Sequence, residues 1–411
     1  MNGRDERSTT GEAAPGCEVV RRDCLIAVSG QADLDSCALV PHPADPRAQV
    51  VAVVGRIRER LERVGADLSD LAKLVVFHVP GPGCREWEMR GLLARALGPD
   101  VLTTLTMVPL PRLVAPGLLI AVDAYAVRGA DGRRIERAPL EVPGLASLPE
   151  PFCHGLRCGE FIFTGGQSAL NERGEVLFAG DLPSQNRYAL DGVAAVLDGL
   201  GADPGDIVKF NTWRAPPPSP QAYRRAAQDR FDFLAAAPPA ATGITIPEST
   251  APGPLIRMDA WAMRSTGGEP LPRRALRPEQ HWDWPSPTPY SQGLRCGPWV
   301  FVGGQAALDE NGEVIGAGNR AGQTELAMRY VAQVLEAAGA CFDDVLKLNT
   351  YYCHGVDAEA SQAGPEARSR HFSPPGPASS DVPVDELAYP GMLVEIEAIA
   401  AIGPRRGVDP R

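Results

Sequence analysis

One short pattern returns three times in this sequence, and its register leaves few folds open. Val28-Ser29-Gly30-Gln31 recurs as Thr164-Gly165-Gly166-Gln167 and again as Val302-Gly303-Gly304-Gln305. Each copy follows an apolar run that reads as a buried strand: Leu25-Ile26-Ala27, Phe161-Ile162-Phe163 and Trp299-Val300-Phe301. Gly30, Gly166 and Gly304 are separated by 136 and then 138 residues. Gly65, Gly201 and Gly339 keep that spacing, as do Lys73, Lys209 and Lys347, and the acidic residues Asp123, Asp259 and Glu397. Four landmarks that hold register over a span of about 100 residues identify a triplicated unit.

The spacing divides the chain into a disordered tail (1–20), a first unit (21–128), a linker (129–150), a second unit (151–264), a linker (265–286), a third unit (287–403) and a short tail (404–411). In the first unit, Val50, Val53, Val54, Ile57 and Leu61 form one helical face over 46–64. Gly65 follows as a C′ glycine. A strand over 74–77, a second helix over 85–97 and a strand over 118–127 complete it. The second unit repeats this with a helix over 184–200, a strand over 207–213, a helix starting at Ser219-Pro220 and ending at Leu234, and a strand over 255–263. The third has a helix over 323–338 and strands over 346–352 and 393–402. The predicted fold class is α+β, each unit a mixed β-sheet with two helices on one face. The two linkers, each of 22 residues, can span up to about 70 Å.

Charge narrows the function. With 51 acidic against 40 basic residues the formal net charge is −11, which argues against nucleic acid as a partner. An anionic metabolite needs only one placed arginine. The amino terminus has no apolar h-region and no run approaches 18 apolar residues, so neither a signal peptide nor a membrane span is expected. Nine cysteines, an odd number without C-x-x-C pairs, read as reduced thiols of a cytoplasmic protein. Neither a metal site nor a cofactor fingerprint is present.

The third unit carries the fullest set of family residues: Pro289-Tyr290-Ser291-Gln292-Gly293, Val302-Gly303-Gly304-Gln305, Asp309-Glu310-Asn311-Gly312-Glu313-Val314, Asp344-Val345-Leu346-Lys347 and Val394-Glu395-Ile396-Glu397-Ala398-Ile399-Ala400. Together these resemble the RidA (YjgF) family of small enamine/imine deaminases. The resemblance covers all three units, the first most diverged. It implies a chorismate-mutase-like fold, and because members are typically homotrimers with clefts between subunits, it implies an intramolecular pseudo-trimer with three unequal clefts. It also implies a small-molecule substrate handled without cofactor or metal.

The departures are chemical. The family's arginine for the substrate carboxylate is replaced by Leu102, Ala241 and Ser379 in the three copies. Losing a bidentate charged contact of about 1.5–3 kcal/mol speaks against standard 2-imino acid deamination. Glu395 matches the family's proton-handling glutamate; Arg257 and Ala121 stand at that position in the other copies. The catalytic candidates are therefore Glu395, Tyr290 and His154. The substrate-binding candidates are Arg257, as a replacement anion anchor, Ser379, and the turns Gly303-Gly304, Gly165-Gly166 and Ser29-Gly30, whose backbone N–H groups could face an oxyanion. Asn211 and Asn349 are further cleft candidates. Asp123, Asp259 and Glu397 read as interface carboxylates, and the three lysines as cross-sheet partners. The expected function is that of a RidA-fold enzyme of specialised metabolism acting on a small carbonyl, enamine or imine by proton transfer or hydrolysis. The alternatives are a chorismatase-like hydrolase and a non-catalytic ligand-binding pseudoenzyme. An enzyme would show Glu395, Tyr290 or Arg257 converging on an open cleft; a scaffold would show the clefts filled by Trp261, Tyr125 and similar bulk.

Overall fold

Continuous apolar runs become strands and runs with 3–4 spacing become helices, so each unit acquires one mixed six-stranded sheet. The computed structural model describes residues 18–217, 219–246, 253–279, 281–284, 288–354 and 358–403, the side chains of 358–362 excepted. The first unit comprises β1 (Val19–Arg22), β2 (Leu25–Ala32), α1 (Pro46–Arg63), β3 (Leu71–His78), α2 (Glu86–Leu97), β4 (Thr103–Pro109) and β5 (Ile120–Val127). Next come β6 (Arg137–Leu140), β7 (Phe152–Cys153), β8 (Gly155–Cys158), β9 (Phe161–Thr164), α3 (Leu182–Gly199), β10 (Ile207–Arg214), α4 (Pro220–Leu234), β11 (Ala240–Thr245) and β12 (Ile256–Met263). The last third has β13 (Arg273–Leu276), β14 (Gly293–Cys296), β15 (Trp299–Ala306), α5 (Arg320–Ala338), β16 (Val345–Cys353), α6 (Ala358–Ser369), β17 (Ala378–Val384) and β18 (Val394–Ala401). No helix among the described residues is long and apolar enough to cross a membrane.

Three details differ from the sequence reading. Val19 and Val20 belong to a hairpin, paired with Val28 and Ala27, and not to the expected tail; residues 1–17 and 404–411 of the two tails lie outside the described residues. The linkers are structural as well as connecting: β6 and β13 each add an edge strand to the following unit by pairing with β8 and β14. The parallel strands β4, β11 and β17 were missed. They are rich in Thr, Ser, Pro and Gly, and they lie on the side of each sheet that meets the next unit, where β7 of the second unit pairs with β4.

The helices begin at side-chain caps, where Asp45, Asp181 and Asn319 accept from Ala48, Ser184 and Gly322 N–H. Buried Gln49, Gln185 and Gln323 tie the same helices to the last strands, their Oε1 atoms accepting from Leu119, Leu255 and Leu393 N–H. Each unit has a private core between sheet and helices. A fourth core, containing Tyr125, Trp261, Phe301 and Tyr351, draws on all three units.

That shared core surrounds an axis on which the units close a ring. At the first seam, Gly166 N–H of unit two donates to the Leu105 carbonyl on β4 at 2.9 Å. At the second, Gly303 of unit three lies so near β11 that an added Cβ would sit 2.8 Å from the Ala241 carbonyl. At the third, Gly30 N–H of unit one donates to Ser380 Oγ on β17 at 2.8 Å. Glycine is needed at Gly303 because backbone meets backbone there. The repeated lysines and carboxylates lock the same seams: Lys73–Asp259 at 2.9 Å, Lys209–Glu397 at 2.6 Å and Lys347–Asp123 at 3.1 Å. All six side chains are buried. The Thr106, Thr242 and Ser380 hydroxyls donate to the same three carboxylates.

Candidate functional site

The ring places three equivalent clefts at the seams, and the chain fills them differently. The strand registers Lys73↔Thr104, Lys209↔Ala240 and Lys347↔Ala378 make Leu105, Ala241 and Ser379 equivalent. Leu105, and not the expected Leu102, is therefore the first unit's counterpart of Ala241 and Ser379. Counting five residues on from the same lysines, His78, Arg214 and Tyr352, at or next to the ends of the middle strands, are also equivalent.

At the first seam an ion-pair cluster occupies the cleft. Arg257 Nη2 meets Glu86 Oε2 of α2 at 2.6 Å, and Arg90 binds the same carboxylate. Burial pushes the Glu86 carboxyl up, but Arg257 and Arg90 outweigh it and hold the group down near about 2. His78, buried behind them, is held neutral by desolvation, its pKa lowered to about 4. Arg257 is thus an inter-unit bridge and not an open anion anchor: a strand residue's charge does not reveal which distant helix will meet it.

The third seam holds two small cavities, of about 180 and 170 Å³. Gly30, Ala121, Leu113, Val114 and Ser379 line the first, so Ser379 faces a mostly apolar space with alanine at the glutamate position. Tyr352, Arg320, Arg368 and Asp381 line the second. Arg368 grips Asp381 through both Nη atoms.

The second seam is open. A cavity of about 650 Å³ lies between units two and three, bounded by Arg214, Arg230 and Ala241 from one and by Tyr290, Gly303, Gly304, Glu386 and Glu395 from the other. Tyr223, Trp284, Tyr290 and Tyr389 supply aromatic wall. Glu395 and Tyr290 converge here, whereas Trp261 and Tyr125 pack on each other at the axis with ring centroids 4.7 Å apart.

Glu395 is 2% exposed, and its Oε2 has no hydrogen-bond partner among the described residues. Burial, with Glu397 beside it on the strand, pushes its carboxyl up to about 8, against the opposing pull of Lys209 and Arg214. Glu397 is depressed instead: its desolvation is outweighed by Lys209, Thr242 and Asn349. Two carboxyls on one strand face thus divide, one neutral and one charged. The register shift between Val302 and Gln305 against β18 makes room for the neutral one. A Cβ at Gly304 would fall 1.8 Å from Glu395 Oε1. Gly304→Ala is accordingly expected to expel this carboxyl and lower any turnover by about 10²-fold or more; a crystal structure of the variant with Glu395 undisplaced would refute that role.

The other turn amides are engaged. Gly165, Gly166 and Gly303 N–H donate to the carbonyls of His154, Leu105 and Gln292, Ser29 N–H to Glu18, and Gly30 N–H to Asp123 and Ser380. These five N–H groups are not free for an oxyanion; the glycines serve close approach. His154 lies away from the cavity lining: Nδ1 accepts from Val142 N–H at 3.0 Å and Nε2 contacts the Ala146 carbonyl at 2.9 Å, securing the linker. Asn211 and Asn349 donate to Asp259 and Glu397 near the axis.

Two site residues escaped the sequence reading. The Arg214 guanidinium stacks on Tyr223 at 5.0 Å and has Arg230, Tyr290 and Glu386 as charged or titratable neighbours. Arg230, 6% exposed, donates from Nη1 to Asn186 at 2.7 Å. Among the described residues neither forms an ion pair within 4 Å. Aligning the copies would have exposed Arg214, since its counterparts His78 and Tyr352 are not cationic in this way.

The family model described as Endoribonuclease L-PSP matches residues 146–263 and 284–402, more than half of the 411 residues. The chain belongs to that family. Units two and three of this Endoribonuclease L-PSP family chain are the matched ones; unit one joins them through its sheet and its place in the ring. A RutC family protein of Pyrococcus abyssi is 36% identical over 113 residues, covering 27% of this chain and 85% of that one. A 2-iminobutanoate/2-iminopropanoate deaminase of Dermatophagoides farinae is 32% identical over 114 residues, 28% of this chain and 86% of that one. Over 81% of this chain and 93% of the other, the fold matches a crystal structure of chorismatase with a TM-score of 0.53 at 16% identity. That likeness extends the family fold beyond a single unit.

Proposed function

We propose that this chain is an enzyme acting on a small organic acid that carries an enamine, imine or related carbonyl-derived group, with its working site at the second seam. The convergence of Arg214, Arg230 and neutral Glu395 on one open cavity carries this reading. The guanidiniums would hold the acid's anionic group, replacing the arginine missing at Ala241. Glu395 would enter as a carboxylic acid. It donates its proton to the enamine carbon or imine nitrogen, and water adds to the C=N carbon. The attacking water returns one proton to Glu395; the hydroxyl of the resulting carbinolamine passes the other to nitrogen as the C–N bond breaks, which releases ammonia and a carbonyl acid. Substrate and water are thereby converted to carbonyl product and ammonia with Glu395 regenerated.

A cavity of about 650 Å³ falls in the range of sites for drug-sized ligands, roughly 300–1,000 Å³, and exceeds what a three- or four-carbon imino acid fills. The relatives named for 2-iminobutanoate and 2-iminopropanoate support the reaction type, while the Ala241 substitution and the cavity's size support a larger substrate. Incubating the protein with a bacterial small-molecule extract and following the anionic components by mass spectrometry tests the reading. Wild type is expected to consume a component that Glu395→Gln leaves untouched. Arg214→Gln should raise KM for it by about ten- to a hundredfold. No component consumed by wild type in preference to Glu395→Gln would overturn the enzymatic reading.

A further inference from the structure

The two better-matched units contain an internal comparison that bears on the pairing of Arg230. Arg230 and Arg368 occupy the same place on α4 and α6, 138 residues apart. In the strands beside them, Thr212 faces Gly243 and Thr350 faces Asp381. The third seam therefore presents a carboxylate where the second has glycine. Arg368 uses both Nη atoms on that carboxylate and a further contact on Thr350 Oγ1 at 2.7 Å. Among the described residues, the one hydrogen-bond partner of the Arg230 side chain is Asn186. Gly243 does not serve a turn or a close approach: a Cβ added there meets nothing within 4 Å, and its φ lies outside the left-handed region. The backbone thus requires no glycine at this position, and its side has room for a longer residue.

We propose that Gly243 is the specificity-determining position of the second seam. By withholding the carboxylate that its counterpart supplies, it leaves Arg230 beside Arg214 for the acidic group of a ligand, and so selects organic anions over neutral molecules of the same shape. This rests on the reading of the cavity as an anion site. Partly desolvated arginines with no carboxylate within 4 Å among the described residues, Glu386 being a more distant neighbour of Arg214, are unfavourable in an empty cleft, and the third seam shows how this fold relieves one of them. The aromatic wall of Tyr223, Trp284, Tyr290 and Tyr389 suits a planar apolar body behind the acid.

Benzoate and its neutral isostere benzamide are suitable probes, titrated calorimetrically into the full chain. Wild type is expected to bind benzoate and not benzamide. Gly243→Asp should weaken benzoate at least about tenfold, and the size-matched Gly243→Asn only about threefold. Gly243→Asp should also melt no lower than wild type, since its carboxylate would find Arg230 as Asp381 finds Arg368. Unchanged benzoate affinity in Gly243→Asp, with Arg230→Gln still weakened, would overturn the role of Gly243 and leave the anion site standing. If benzoate does not bind wild type, or binds Arg214→Gln and Arg230→Gln equally well, the anion-site reading fails and the role of Gly243 falls with it.

Discussion

Glu395→Gln is expected to lower turnover by about 10²–10⁴-fold, the usual share of a positioned proton donor, and at the same time to melt higher than wild type in mildly alkaline buffer. Both effects have one origin. In the unfolded chain this carboxyl ionises near its ordinary value of 4.5, but in the folded protein it holds its proton to about 8. The folded state therefore binds more protons across that interval, and stability falls as pH rises from about 4.5 through 8. The accumulated cost reaches roughly 4 kcal/mol by pH 8 as an upper figure, and glutamine, which does not ionise, avoids it. The difference in melting temperature between variant and wild type should be small at pH 5 and widen towards pH 8. The wild-type rate should lose its acid-dependent limb near the same pH. A melting difference that stays constant from pH 5 to 8 would mean that Glu395 is already ionised in the folded protein, and the proton-donor role would go with it.

The second large effect lies at the axis. Asp259→Ala leaves Lys73, which is 0% exposed, without its carboxylate at the first seam. Removing one partner of a buried pair costs about 3–5 kcal/mol, whereas replacing both by apolar residues of similar volume is often neutral. Asp259→Ala should therefore shift the urea midpoint strongly downwards, and Lys73→Met combined with Asp259→Leu should recover most of the loss. Desolvation already lowers the Lys73 pKa against the pull of Asp259, so the single variant should lose charge at position 73 as pH rises. An Asp259→Ala protein within about 1 kcal/mol of wild type, the range of an exposed ion pair, would show that the axial pairs do not hold the ring.

The axis was legible in the sequence because it is the part that did not diverge. Lysines, carboxylates and turn glycines serve the same contacts at every seam, so they kept their spacing while the clefts changed. Helices were legible for the usual reason, a 3–4 apolar stripe closed by a glycine such as Gly65 or Gly201 in the left-handed region. The strands β4, β11 and β17 were not, because a strand that docks on another unit carries small polar residues instead of an unbroken apolar run. Arg257 and Arg214 show the harder limit. Both are arginines on strands of the second unit; one is neutralised by Glu86 from a helix of another unit, and the other has no carboxylate within 4 Å among the described residues and stacks on Tyr223 instead. Neither outcome depends on local pattern.

Carrying all three units on one polypeptide changes what dilution can do. A ring of separate subunits dissociates as its concentration falls, because each contact must recover the freedom lost on association. Here the connecting segments hold every neighbour at a fixed effective concentration, and they also contribute the strands β6 and β13 to the sheets they join. The cleft built from two units is therefore complete in each molecule, even when a cell makes very few copies of it.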